Sequence, residues 1–132
     1  MKVKVADEVW IATALLHTEQ PGRRSFKVRE IVDRAYLEHL TEQLRPGVQV
    51  HASLHCVANK RPNPGNYRML YDVGAGERRL CRASDDFHPY RQGGKYIPNA
   101  GEIPEKYHPL LRWYERDYNK GEEISPSLGV EV

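Results

Sequence analysis

A chain of 132 residues with 39% hydrophobic residues and a mean hydropathy of -0.72 can enclose one core, and has little apolar material for a second. No run approaches the ~18 apolar residues of a membrane span, the N-terminus MKVKVADEVW lacks the apolar stretch of a signal peptide, and Cys56 and Cys81 alone make no disulfide framework, so a reduced cytoplasmic protein is expected. The net charge of +2 hides an asymmetry: residues 1–98 hold 16 Lys and Arg against 11 Asp and Glu, whereas residues 99–132 hold 4 against 7.

In chain order, Asp7 is placed to cap a first helix running to about Thr18, with Val9, Ala12 and Leu16 on one stripe and Ile11 and Leu15 beside it. Glu19-Gln20-Pro21-Gly22 ends that helix, and Arg23-Arg24 follows in a solvated loop. Ser25-Phe26-Lys27 reads as a short strand or an anchor for Phe26. Val28, Ile31, Val32 and Ala35 then recur with the helical period, although Lys27 is a poor N-cap. Leu37, Leu40 and Leu44 leave open whether that helix continues almost to Pro46.

A third helix is predicted over 48–58, starting after Pro46-Gly47, with Val50, Leu54 and Val57 toward the core. Its other side would present Gln49, Ala52, Ser53, Cys56, Asn59 and Lys60, all small, polar or basic. The turn formers of 60–66 follow, then a period-two strand in which Tyr67, Met69, Tyr71 and Val73 alternate with Arg68, Leu70 and Asp72, Leu70 being the exception. Gly74-Ala75-Gly76-Glu77 turns the chain into a returning strand over 78–82, with Leu80 inward and Arg79 and Cys81 opposite. Residues 83–103 have no period and read as an irregular strap. Pro104 can open a last helix, over 104–120, lined by Tyr107, Leu110, Leu111, Tyr114 and Tyr118, with Trp113 nearby. Gly121 stops it, and 121–132 reads as a flexible tail.

Three helices followed by a hairpin define an α+β chain with the plan of a winged helix-turn-helix over residues 1–82. Residues 45–82 carry 7 basic and 2 acidic side chains, an electrostatic footprint for a polyanion, though such clusters also occur on ordinary solvated faces. Gln49 and Asn59 have the chemistry to pair with an adenine edge, and Ser53 and Lys60 are flexible donors. Arg61, Arg68, Arg78, Arg79 and Arg82 would hold the DNA backbone. The stretches FKVREIV (26–32), SLHCVAN (53–59) and YRMLYDVGAG (67–76) resemble a family of small bacterial winged helix-turn-helix domains, over residues 7–82. That resemblance implies DNA binding by the third helix and wing, as in regulators or in restriction and defence systems.

Three other readings compete. The same fold could serve as a protein-interaction module, with the aromatic C-terminal helix as a homodimer seam. His51 and His55 have the one-turn spacing of metal ligands, with Cys81 or His88 to complete a set, but no glutamate stands between them as in zinc proteases. Asp85-Asp86 with His88 lacks a positioned lysine, and neither Gly74-x-Gly76 nor Gly93-Gly94 makes a phosphate loop. A non-enzyme without cofactor or metal that binds double-stranded DNA is therefore expected.

Overall fold

In the computed structural model, which describes residues 2–40, 47–62 and 65–120, Val5–Glu19 form the first helix, α1. It is apolar nearly all round and correspondingly buried nearly all round: Val9, Trp10, Ile11, Ala12 and Ala14 are inaccessible to solvent. Thr13 adapts to that setting by donating its hydroxyl to the Val9 carbonyl (2.8 Å). Asp7 is not the N-cap. Lys4 holds that position without a side-chain bond, and Asp7 lies buried in the first turn with an oxygen 3.2 Å from Lys95 Nζ.

Phe26–Lys27 form β1, and α2 runs from Val28–Glu38 with Ile31, Val32 and Ala35 inward, as their period predicts. The cap that Lys27 cannot supply comes from Glu30, whose carboxylate accepts the Lys27 backbone N–H at 2.9 Å. The helix stops at Glu38 because His39 adopts a left-handed conformation (φ 51°), so it does not run on through Leu40. Leu44 lies outside the described residues. Arg34 ties α2 to the end of α1 by gripping both oxygens of Glu19 (2.6 and 2.5 Å).

The third helix departs most from expectation. Gly47–Val50 form α3, which widens into a π-helical turn over His51–His55, closed by the Cys56 N–H on the His51 carbonyl (3.0 Å). It therefore ends before 58 and is rotated. Val48, Ala52 and Cys56, four apart, form the buried row, whereas Val50 is 42% exposed and Leu54 half-buried. The small side chains of Ala52 and Cys56 let α3 approach the interior closely; of the expected stripe only Val57, beyond the helix, is fully buried.

Leu70–Gly74 form β2 and Glu77–Leu80 form β3, giving an antiparallel sheet in the order β1-β3-β2. Leu70 faces Leu80, Asp72 faces Arg78, and Phe26 faces Arg78 from the other side. Leu70 is no exception but a core residue: the segment leaving α3 pairs with it in parallel, through Leu70 N–H to Cys56 (2.9 Å) and Ala58 N–H to Leu70 (2.8 Å). The outer end of the strand is free of that cover, so Val73 is exposed. The hairpin tip carries three positive φ values in succession at Gly74, Ala75 and Gly76, which explains two glycines there.

Pro104 precedes a short 3-10 turn, Glu105–Tyr107, and the last helix, α4, begins only at His108–Trp113, continuing as a π-helical turn through Tyr118. Its aromatic stripe packs on its own domain. Tyr114 meets Trp10 edge-on at 5.7 Å and donates its hydroxyl to the Cys81 carbonyl, so Cys81 is covered rather than outward; Tyr118 donates to Leu80 (2.7 Å). Gly121 and the tail lie outside the described residues. The described residues make an α+β fold of four helices and one three-stranded antiparallel sheet, and no helix among them is long and apolar enough to cross a membrane.

His17 is wedged between Phe26 (5.1 Å between ring centroids), Tyr118 (4.9 Å) and Trp113 (6.2 Å), and its Nε2 accepts the Leu80 N–H at 3.2 Å. Burial, with the charges of Arg82 and Arg79 adding to it, pushes the imidazole down to about 3. The unfolded chain then binds a proton near the ordinary pKa of about 6.5 that the folded chain refuses. Stability should fall by about 1.4 kcal/mol per pH unit as pH drops below that value. Urea unfolding at pH 7 and pH 5 measures this, and a His17→Gln variant should show a flatter profile.

Candidate nucleic-acid interface

The hairpin arginines are drawn inward. Arg78, 6% exposed, donates to the carbonyls of Ala52 (3.3 Å) and Ser53 (3.2 Å) and pairs with Asp72 (3.1 Å), bolting β3 to α3. Burial alone would raise the Asp72 carboxyl, but the Gly74 N–H, Arg78 and Lys60 outweigh it and hold it below the ordinary value. Arg79 grips both oxygens of Asp85 at 2.8 Å and lies over the Tyr71 ring. Arg82 donates to the Tyr118 carbonyl (2.9 Å) from above that ring. Arg68 is buried, 3.8 Å from the centroid of Phe87. Each of these four joins the hairpin to another part of the chain. Their placement follows from long side chains reaching partners remote in sequence, which a charge count cannot reveal.

The face of α3 divides likewise. Gln49 is exposed and in loose contact with Ser53 (3.5 Å), which is half-buried. Asn59 is committed: its amide donates to the Asp72 carbonyl and accepts the Asp72 N–H, both at 2.9 Å. Lys60 lies 3.4 Å from Asp72. Arg61 is exposed, 5.5 Å from the Tyr90 centroid. On or just beyond α3, Gln49 and Arg61 are thus exposed and Ser53 partly so.

Three further cations stand outward beside the hairpin tip. Arg24, Lys27 and Arg29 are exposed, and among the described residues Arg29 has a loose, solvated pair with Asp33 (3.7 Å). Arg23, by contrast, is held by both oxygens of Glu30 (2.7 and 2.8 Å). The Val28 N–H donates to Gly76 (3.3 Å) and the Ser25 hydroxyl to Glu77 (2.5 Å), so the first turn of α2 and the tip share one neighbourhood. These cations precede the basic stretch of residues 45–82 in the chain and join it only through the fold.

The strap supplies the least expected residue. Arg91 is wholly buried and donates to five carbonyls: Lys60 (2.7 Å), His55 (2.8 Å), Tyr67 (2.5 Å), Leu54 (2.9 Å) and Arg61 (3.5 Å). It closes the end of the wide turn of α3 and the loop that follows. In sequence it is one arginine in an aperiodic stretch, signalled only by Pro89 opening a turn.

The rival constellations are arranged otherwise. The rings of His51 and His55 lie perpendicular, 5.0 Å apart, with His51 Nδ1 at the Gly47 carbonyl (2.8 Å). Among the described residues no three His, Cys, Asp or Glu side chains group to hold a metal ion. Asp85 is taken by Arg79, Asp86 accepts the Tyr71 hydroxyl, and His88 Nδ1 accepts the Tyr90 N–H (3.1 Å). Comparison of the chain with protein-family models, curated proteins and solved structures gives no match. Its class, an α+β fold with a small antiparallel sheet, therefore rests on its own architecture.

Proposed function

We propose that the chain is a cytoplasmic winged helix-turn-helix protein that binds double-stranded DNA, as a transcriptional regulator or an accessory specificity module. The order α1, β1, α2, α3, β2, β3, with β3 between β1 and β2, supports this reading, since a winged helix-turn-helix has the same order with the hairpin as its wing. The observation that carries the reading is the outward polar row of Gln49 and Ser53 on α3, with Arg61 just beyond it and Arg24, Lys27 and Arg29 beside the hairpin tip. A side chain such as Gln49 can read a base edge, while cations on flanking loops hold phosphates. The packing of the α4 stripe into the domain favours this over a dimer seam, because little of that stripe is left to offer a second copy.

Fluorescence anisotropy with labelled duplex DNA tests it. Saturable binding at low salt is expected, with Lys27→Ala and Arg29→Ala together weakening all duplexes alike. Gln49→Ala should cost about tenfold on a selected site, the scale of one good base contact. Absence of duplex binding at low salt would refute the proposal.

A further inference from the structure

Tyr90 is 66% exposed, which for a lone surface tyrosine needs no explanation. Its mounting does. It stands on the three-residue turn Pro89–Arg91, and that turn is fixed from beneath by the five carbonyl bonds of Arg91. The His88 N–H donates to Ala58 (2.8 Å) on one side, and on the other Gly94 passes so close to Asn66 that a Cβ would lie 1.8 Å from its carbonyl oxygen. Arg61 sits 5.5 Å from the ring centroid and His88 meets the ring at 5.1 Å and 62°. Gln92 and Gly93, which follow, are exposed and not apolar.

We infer that Tyr90 and Arg61 form a platform for an unpaired nucleotide, so that the protein prefers duplex DNA carrying a single-stranded extension. A largely uncovered phenol on a firmly anchored turn offers a π-face to a base, and the Arg61 guanidinium beside it would hold the phosphate at the junction of duplex and extension. Arg61 belongs to the segment leaving α3, and Arg91 holds the carbonyls of Lys60 and Arg61 in that same segment, so the platform is fixed to the element proposed to read the duplex. The two groups that meet the ring, Arg61 and His88, both carry hydrogen-bond donors, which suits a base and its phosphate. The inference rests on the duplex-binding reading above.

Anisotropy titrations compare a blunt duplex with the same duplex bearing a short single-stranded extension. Wild type should bind the extended form about tenfold more tightly, the scale of one stacked base. Tyr90→Ala should erase that preference while leaving the blunt duplex unaffected, and Tyr90→Phe should keep it. A 2-aminopurine at the first unpaired position should be quenched by wild type and by Tyr90→Phe but not by Tyr90→Ala. Equal affinities for the two duplexes, or a preference that survives Tyr90→Ala, would overturn the platform while leaving duplex binding standing. Binding to neither DNA would overturn both.

Discussion

Arg91→Ala is expected to destabilise the domain by about 3–5 kcal/mol, seen as a lowered urea midpoint. The side chain is wholly buried and no carboxylate among the described residues meets its guanidinium, so its charge is spread over five carbonyl dipoles. Burial accordingly lowers its pKa. Removing it takes the Arg91 donor from all five carbonyls, of which Leu54 keeps the Val57 N–H (3.1 Å), and loss of buried hydrogen bonds is more costly than loss of solvated ones. Two of them, Leu54 and His55, belong to the end of the wide turn of α3, where a cation is electrostatically favoured. Arg91→Lys should recover little, since an ammonium has three donors at one point and cannot span five acceptors. A variant as stable as wild type would show that the strap is not required to hold α3.

Arg78→Ala is expected to cost about 3 kcal/mol, with loss of DNA binding only as a consequence of unfolding. Arg78 is the one hairpin arginine that reaches two α3 carbonyls and a carboxylate together. Its removal frees β3 from α3 and leaves Asp72 with Lys60 as its remaining charged partner. The contrast with Lys27→Ala plus Arg29→Ala is the informative part. Those cations are exposed, so their loss should leave the urea midpoint within about 0.5 kcal/mol of wild type while weakening duplex binding. Arg78→Ala that unfolds normally yet binds no DNA would reverse the roles assigned to the two groups.

These expectations also mark what could be read from the chain itself. The period of Val28, Ile31, Val32 and Ala35 was enough for α2, and the apolar density of 9–16 for α1, because burial of a regular helix face follows directly from spacing. The hairpin tip was legible from its glycines, since three successive positive φ values admit few other residues. The face of α3 was not. Ala52 and Cys56 look indifferent beside Val50 and Leu54, but close packing rewards small side chains, and a π-helical turn shifts the register that a 3.6-residue period assumes.

The candidate site is legible only in part, for a different reason. Gln49, Ser53 and Arg61 remain outward, as a surface reading of α3 suggests. For Arg68, Arg78, Arg79 and Arg82 the chain gives charge but not destination: a guanidinium suits a phosphate, a carboxylate or a helix-end carbonyl equally, and which it meets is set by tertiary structure. Asp85, Asp72 and the Tyr118 carbonyl lie 6 to 36 residues from the arginines they hold. The same reach hid Arg91, whose acceptors lie 24 to 37 residues away.

The central claim is that a duplex is held by exposed cations, with the hairpin arginines serving the scaffold. The salt dependence of duplex binding tests it most directly. If Arg24, Lys27, Arg29 and Arg61 each displace a counterion, log affinity should fall with log salt at a slope near roughly -3.6, and at a correspondingly shallower slope after Lys27→Ala and Arg29→Ala. A flat response, or a slope unchanged by removing those two cations, would contradict the account.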